Sequence, residues 1–123
     1  MTQLHEASSV GDLPSLEEGL KAGLDPNEPD IHWGSRTPLH VACASGHKKI
    51  VYVLLQAGAF PDSLTNVGWT PAHFAAEGGH AQCLQLLITA GCNITATDQY
   101  GDTARTIAAR HNHQECVKMI DEI

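Results

Sequence analysis

Apolar residues cluster in short blocks along the chain, and polar loops separate the blocks. Within a block, apolar residues recur every three or four positions, a spacing typical of a helix with one buried face. Two such blocks lie 33 residues apart and each predicts a helix; their apolar residues are Ile50, Val51, Leu54 and Leu55 in one and Cys83, Leu84, Leu86, Leu87 and Ile88 in the other.

A further helix is predicted ahead of each block by capping residues. Thr37 can cap its N-terminus, and Pro38 occupies the first helical position, where a missing N–H costs nothing. Gly46 ends this helix, since a left-handed residue commonly follows the last turn. The same residue types recur 33 positions later, so each block predicts a pair of helices.

These pairs belong to a repeat. The segment TPLHVACASGHKKIVYVLLQAGA begins at Thr37, TPAHFAAEGGHAQCLQLLITAGC at Thr70, and TARTIAARHNHQECVKMIDEI at Thr103, in steps of 33 residues. A fourth copy, TQLHEASSVGDLPSLEEGLKAGL, begins at Thr2, 35 residues before Thr37. The connection after the first copy is therefore predicted to be two residues longer than the others.

The TPLH and TPAH starts, the Gly-His pair, the LLQAGA close and the 33-residue period resemble the ankyrin repeat over essentially the whole chain. The resemblance implies an all-α fold, an ankyrin-repeat solenoid of four helix-turn-helix repeats with β-turn fingers. We expect a single ankyrin-repeat domain over residues 1–123, with repeats at about 2–34, 35–67, 68–100 and 101–123.

The first and last copies depart from the repeat pattern. In the last copy, residues 104–106 replace Pro, Leu and His, and Asn112 replaces the glycine. In the first copy, Glu6, Ser8 and Ser9 are polar. We expect these polar residues to lie on faces that no further repeat covers, and the four repeats to form a stand-alone domain.

Composition excludes several classes of protein. A chain of 123 residues with 42% hydrophobic and 17% charged residues is typical of one globular domain. Its longest wholly apolar run, residues 50–55, is too short to span a membrane, and no leader sequence is evident at the N-terminus. The expected location is cytoplasmic, with the nucleus as the alternative.

Net charge also bears on the partners. The chain carries a net charge of −7, and its acidic residues concentrate in the first thirty positions. Phosphate backbones would be repelled, so we expect no nucleic-acid partner. The acidic N-terminal region is interpreted as a solvated face, with a docking patch for a basic partner as the alternative, and we expect a monomer.

Eight histidines raise the question of a metal site, but six of them occupy two repeated positions. Adjacent repeats stack about 10 Å apart, whereas the ligands of one zinc ion lie about 2 Å from it. His32 and His111 fall outside these positions and are two repeats apart, so no metal is expected. The repeated sets are His5, His40 and His73, and His47, His80 and His113.

No enzyme motif is present, and no cofactor is expected. His40 and Cys43 are three residues apart on one predicted helix, close enough for a base and a nucleophile in principle. Both lie at repeated structural positions, which disfavours catalysis. The four cysteines, Cys43, Cys83, Cys92 and Cys116, are interpreted as small apolar residues and are predicted to be buried and reduced.

The resemblance implies a binding surface along the concave side, lined by the finger tips and the exposed ends of the first helices. Trp33, Trp69 and Tyr100 fall on successive tips, and aromatic residues dominate interface hot spots. The alternative is that each ring packs over its own finger. The other candidate partner-binding residues are His32, Arg36, Asn66, Glu77, Asp102, Arg110 and His111.

The sequence therefore predicts a non-enzymatic module that binds an unidentified protein or peptide on its concave face. An inhibitory or regulatory subunit that occludes a partner's active site is the alternative within this class. A spacer in a larger assembly is a further alternative, and a metal-binding or catalytic protein is disfavoured.

Overall fold

A computed structural model describes residues 2–123, which form eight α-helices arranged as four pairs. The first helices of neighbouring pairs pack against one another, and so do the second helices, which makes a single stack of repeats. The helices are α1 (Gln3–Val10), α2 (Leu13–Lys21), α3 (Pro38–Ser45), α4 (Lys48–Gln56), α5 (Pro71–Gly78), α6 (Ala81–Thr89), α7 (Ala104–Arg110) and α8 (Gln114–Asp121). The predicted all-α repeat fold is confirmed.

The predicted caps position each first helix. Thr37 precedes α3 in an extended conformation, and its side chain accepts a hydrogen bond from the backbone N–H of His40. Gly46 ends α3 with φ of 78°, in the left-handed region. Asn112 adopts the same conformation after α7, with φ of 63°, so this departure from glycine preserves the turn.

One histidine of each of the first three repeats links that repeat to the next. The Nδ1 atom of His40 lies 3.0 Å from the backbone nitrogen of Thr37, and its Nε2 lies 3.0 Å from the carbonyl oxygen of Trp69. His5 and His73 make the equivalent contacts with the carbonyl oxygens of Arg36 and Asp102. A carbonyl can only accept, so Nε2 carries the proton and Nδ1 accepts from threonine.

The second set of histidines points back to the preceding repeat. Nε2 of His80 lies 3.1 Å from the carbonyl oxygen of Ala44, near the end of α3. The His80 ring covers Gly46 so closely that a Cβ at that glycine would lie 2.5 Å from Nδ1. His47 and His113 repeat both features at the ends of α1 and α5. Neighbouring repeats are thus joined by polar contacts at both ends of the first helices.

Three β-turn fingers project between the repeats. Backbone hydrogen bonds close them between Asp30 and Arg36, Thr65 and Trp69, and Asp98 and Asp102. The first finger is two residues longer than the others, as the 35-residue step predicted. Backbone hydrogen bonds also join the fingers to one another, from Asn66 N–H to Gly34 and from Gln99 N–H to Val67.

A continuous apolar core runs through the stack between first and second helices. Ser8 does not follow the prediction made for it: its side chain is fully buried, and its Oγ has no hydrogen-bond partner among the described residues. The prediction was wrong because Ser8 occupies the repeat position of Cys43, on a helix that packs against both α2 and α3. Glu6 and Ser9 are exposed, as expected.

Candidate protein-binding surface

A groove of about 400 Å³ lies between the fingers and α5, the first helix of the third repeat. It gathers six of the ten predicted partner-binding residues with four others. The predicted residues that line it are Trp33, Arg36, Asn66, Trp69, Glu77 and Tyr100.

Arg36 lies between two aromatic rings at the base of the groove. Its guanidinium carbon is 4.6 Å from the centre of the Trp33 ring and 4.8 Å from that of Phe74. Contacts of this kind are attractive cation–π interactions and fix the long arginine side chain. Phe74 was not among the predicted site residues, although it is the aromatic member of a repeat position that holds Val41 and Ile107 elsewhere.

Trp69 is held by neighbours within the fold. Its indole Nε1 donates a 2.9 Å hydrogen bond to Asp98 in the next finger, and its ring stacks on His73 and meets Phe74 edge to face. Burial alone would raise the pKa of Asp98, but hydrogen bonds from two backbone N–H groups and from the indole outweigh it and lower that pKa. Trp69 thus contacts α5 of its own repeat through His73 and Phe74 and the next finger through Asp98.

Tyr100 is the most exposed of the three tip aromatics, with 77% of its surface accessible. Val67 stands at the equivalent position of the preceding finger and is 40% exposed. Trp33 is partly buried because Arg36 covers one part of its ring. The groove therefore offers apolar surface on Trp33, Val67 and Tyr100, while Trp69 mainly supports the wall behind them.

The polar candidates divide into two groups. Asn66 and Glu77 line the groove, and the Glu77 side chain is exposed while its backbone carbonyl accepts from His113. Arg110 and Asp102 lie outside it and pair with each other at 3.1 Å.

The last two candidates also lie outside the groove. His32 is exposed on the first finger, next to the start of the first repeat. His111 stacks on His113 at the far end, with 6.2 Å between the ring centres. The structure thus brings six candidates together and leaves four around the rim or beyond it.

The alternative base and nucleophile, His40 and Cys43, lie in an environment that suppresses such chemistry. Burial raises the pKa of the Cys43 thiol well above its usual value, so the thiolate is disfavoured. Burial also lowers the pKa of His40 to about 4, and both of its ring nitrogens are engaged by backbone groups. Within residues 2–123 no group of three or more His, Cys, Asp or Glu side chains is arranged to hold a metal ion.

Across the same residues, no helix combines the length and the apolar character needed to cross a membrane. Lys48, Lys49 and Tyr52 at the start of α4 are exposed.

The chain is similar to known proteins in its repeats. A family model described as ankyrin repeats (3 copies) matches residues 4–98 and 59–121. Human ankyrin repeat domain-containing protein 7 is 46% identical over 57 residues, which are 46% of this chain and 22% of that protein. Human histone-lysine N-methyltransferase EHMT1 is 39% identical over 61 residues, 50% of this chain and 5% of the enzyme.

The ADP-ribosylation factor GTPase-activating protein AGD4 of Arabidopsis thaliana is 45% identical over 58 residues, 47% of this chain and 7% of that protein. The chain thus spans less than a quarter of the length of each of these relatives. The similarity concerns the repeats.

Proposed function

The chain belongs to the ankyrin-repeat family, whose repeats generally serve as protein–protein interaction modules, and we propose that it binds a protein or peptide partner in the groove beside the fingers. The repeat fold itself is non-enzymatic. In this proposal the partner rests on Trp33, Val67 and Tyr100, and the polar groups of Arg36 and Glu77 select its sequence.

The observation that carries the proposal is the combination of exposed aromatic surface and an immobilised arginine in one groove. Trp, Tyr and Arg dominate interface hot spots because they offer large contact areas and hydrogen bonds. Arg36 is already fixed by Trp33 and Phe74, so little side-chain entropy remains to be lost on binding. The binding surface is therefore preorganised in the free protein.

The size of a standard interface indicates how far the partner extends. Stable complexes bury about 800 Å² on each side, and the groove spans only two of the three fingers and part of the third. A partner of that size would extend beyond the groove onto nearby exposed surface, such as Ile31 on the first finger, which is 75% exposed.

A double variant, Trp33→Ala with Tyr100→Ala, tests the proposal while leaving Trp69 in place. Affinity capture from cell extract with quantitative mass spectrometry should show one or a few proteins lost from the double variant. Tyr52→Ala is the matched control, because Tyr52 is a half-exposed aromatic residue on α4, outside the groove. Circular dichroism and melting temperature establish that all variants fold alike. Identical catches for the wild type and the double variant would contradict groove binding.

A further inference from the structure

Arg36 differs from the other two arginines of the chain in its partners. Arg105 donates two hydrogen bonds to Asp121, at 2.6 and 3.0 Å, and Arg110 pairs with Asp102 at 3.1 Å. Among the described residues, no side chain or backbone oxygen accepts a hydrogen bond from the Arg36 guanidinium, and no carboxylate pairs with it. Its contacts are with the Trp33 and Phe74 rings, which use none of its five N–H donors.

A guanidinium in this state is suited to a planar anion. Stacking on aromatic rings fixes the orientation of the group, and its fork of donors matches the two oxygens of a carboxylate. Because the side chain is held in place before binding, less rotamer entropy is lost when such a bond forms. The groove thus supplies an oriented donor set that the protein itself leaves unused.

The surrounding charge limits how acidic the partner can be. The whole chain carries a net charge of −7, and Glu77 lines the same groove as Arg36. A run of acidic residues would be repelled by both, whereas one carboxylate next to Arg36 gains a short-range, charge-assisted bond. Exposed apolar surface on Val67 and Tyr100 lies along the same groove and suits an apolar neighbour of that carboxylate.

Resting on the proposed protein-binding function, we propose that the partner is a peptide segment with a single Asp or Glu side chain, which pairs with Arg36, beside an apolar residue that packs on Val67 and Tyr100. Arg36 is then the residue that selects the partner's sequence. The net charge of −7 does not attract this carboxylate and only disfavours partners that carry several of them.

The test begins with selection from a display library of random linear dodecapeptides on immobilised protein. The wild type and Lys49→Gln should enrich peptides with one Asp or Glu next to an apolar residue, and Arg36→Gln should not. Lys49→Gln is the matched control, because it removes the same charge from an exposed position outside the groove. The Trp33→Ala, Tyr100→Ala variant is selected in parallel.

Calorimetry on the best enriched peptide then tests the pairing itself. Arg36→Gln should weaken its affinity at least about tenfold, as expected for a hydrogen-bonded charge, and Lys49→Gln less than about twofold. Replacing the acidic residue of the peptide by its amide should cause a similar loss that does not add to that of Arg36→Gln. If Arg36→Gln alters the circular dichroism, Arg36→Lys serves instead, since it keeps the charge and removes the planar fork.

The outcomes separate the inference from the function on which it rests. Enriched peptides that lack an acidic residue, or that bind Arg36→Gln equally well, but that require Trp33 and Tyr100, overturn the role of Arg36 and leave groove binding intact. If the enriched peptides bind every groove variant as tightly as the wild type, or if no peptide is enriched, both the role of Arg36 and binding in the groove are contradicted.

Discussion

At the scale of single residues, the histidines illustrate how one residue type serves the repeat twice. His40 accepts at Nδ1 and donates at Nε2, so it is a linker only in its neutral form. His80 instead covers a glycine of the preceding repeat and donates to its helix end. The large number of histidines in the sequence is therefore explained by the contacts that join neighbouring repeats.

The state of His40 predicts how stability depends on pH. Burial lowers its pKa from 6.5 to about 4, so above pH 6.5 it is neutral whether folded or unfolded and contributes no pH dependence. Between pH 6.5 and about 4 the unfolded chain binds a proton that the folded protein does not, and the free energy of unfolding should fall by about 3 kcal/mol.

Urea unfolding from pH 7.5 to 4 measures this effect. His40→Gln should be less stable at neutral pH but show a smaller decline on acidification, whereas His32→Gln, at an exposed site, should keep the wild-type decline. Parallel curves for the wild type and His40→Gln would show that His40 does not cause the acid sensitivity.

Substitutions at Gly46 and Gly58 distinguish the cost of a left-handed backbone from the cost of lost packing. Both have positive φ, 78° and 96°, but a Cβ at Gly46 meets the His80 ring, whereas a Cβ at Gly58 has nothing within 4 Å. Gly58→Ala should cost about 1 kcal/mol for the left-handed backbone. Gly46→Ala should cost about 2 kcal/mol, because it also displaces His80 from its hydrogen bond to Ala44.

Thermal or urea unfolding of both variants, repeated in a His80→Ala background, checks this assignment. Without the ring, the two glycine substitutions should cost the same. If the difference persists in that background, the His80 contact is not its cause.

At the scale of the element, the fingers combine structural contacts with the proposed binding surface within a few residues. Backbone hydrogen bonds hold each finger to the next. Trp69 adds a side-chain link to Asp98, while Tyr100 projects into solvent from the last finger. The two aromatic residues, which lie on successive fingers, are therefore expected to differ in what their loss does.

Trp69→Phe removes the indole N–H and keeps most of the ring. We expect a loss of about 1–2 kcal/mol of stability, because the Asp98 carboxylate loses a donor. The pKa of Asp98 should rise toward its usual value, which an NMR titration of its carboxyl carbon would show. Tyr100→Phe is the control and should leave both quantities unchanged. If Trp69→Phe changes neither quantity, the indole hydrogen bond does not stabilise the contact between the fingers.

At the scale of the whole molecule, stability is shared between neighbouring repeats, because the main helix contacts of each repeat are with the repeats beside it. The first repeat contributes fully buried Leu4 and Leu16 and the hydrogen bond from His5 to the carbonyl of Arg36. It thus covers α3 and also supports the end of the finger from which Arg36 projects.

Deleting residues 1–30 should therefore destabilise the remaining repeats. We expect a loss of at least about 2 kcal/mol, since the apolar face of α3 becomes exposed. Removal of the last two residues, 122–123, which are exposed, is the matched control. Unchanged melting after the larger deletion would show that the first repeat does not stabilise the others.

Much of the fold was predictable because it depends on short segments. The threonine caps and the left-handed helix ends follow from residues within a few positions of one another, and the longer first finger follows from the 35-residue step between the first two copies. Repetition at 33 residues then places equivalent residues on the same side of the stack. For the site, the resemblance to the ankyrin repeat implied that Trp33, Arg36, Trp69 and Tyr100 share one surface, and all four line the groove.

Only the tertiary structure decided how those residues divide their roles. Phe74 is 38 residues from Arg36 in the sequence yet lies 4.8 Å from its guanidinium, and Asp98 is 29 residues from the indole it accepts from. Burial of Ser8 likewise depends on α2 and α3 packing around α1. The repeat pattern defines where a backbone position lies. The neighbours in adjacent repeats decide whether a side chain is held in place, exposed or left with unused hydrogen-bond donors. The distances to those neighbours are set by tertiary packing, which a local sequence pattern does not encode.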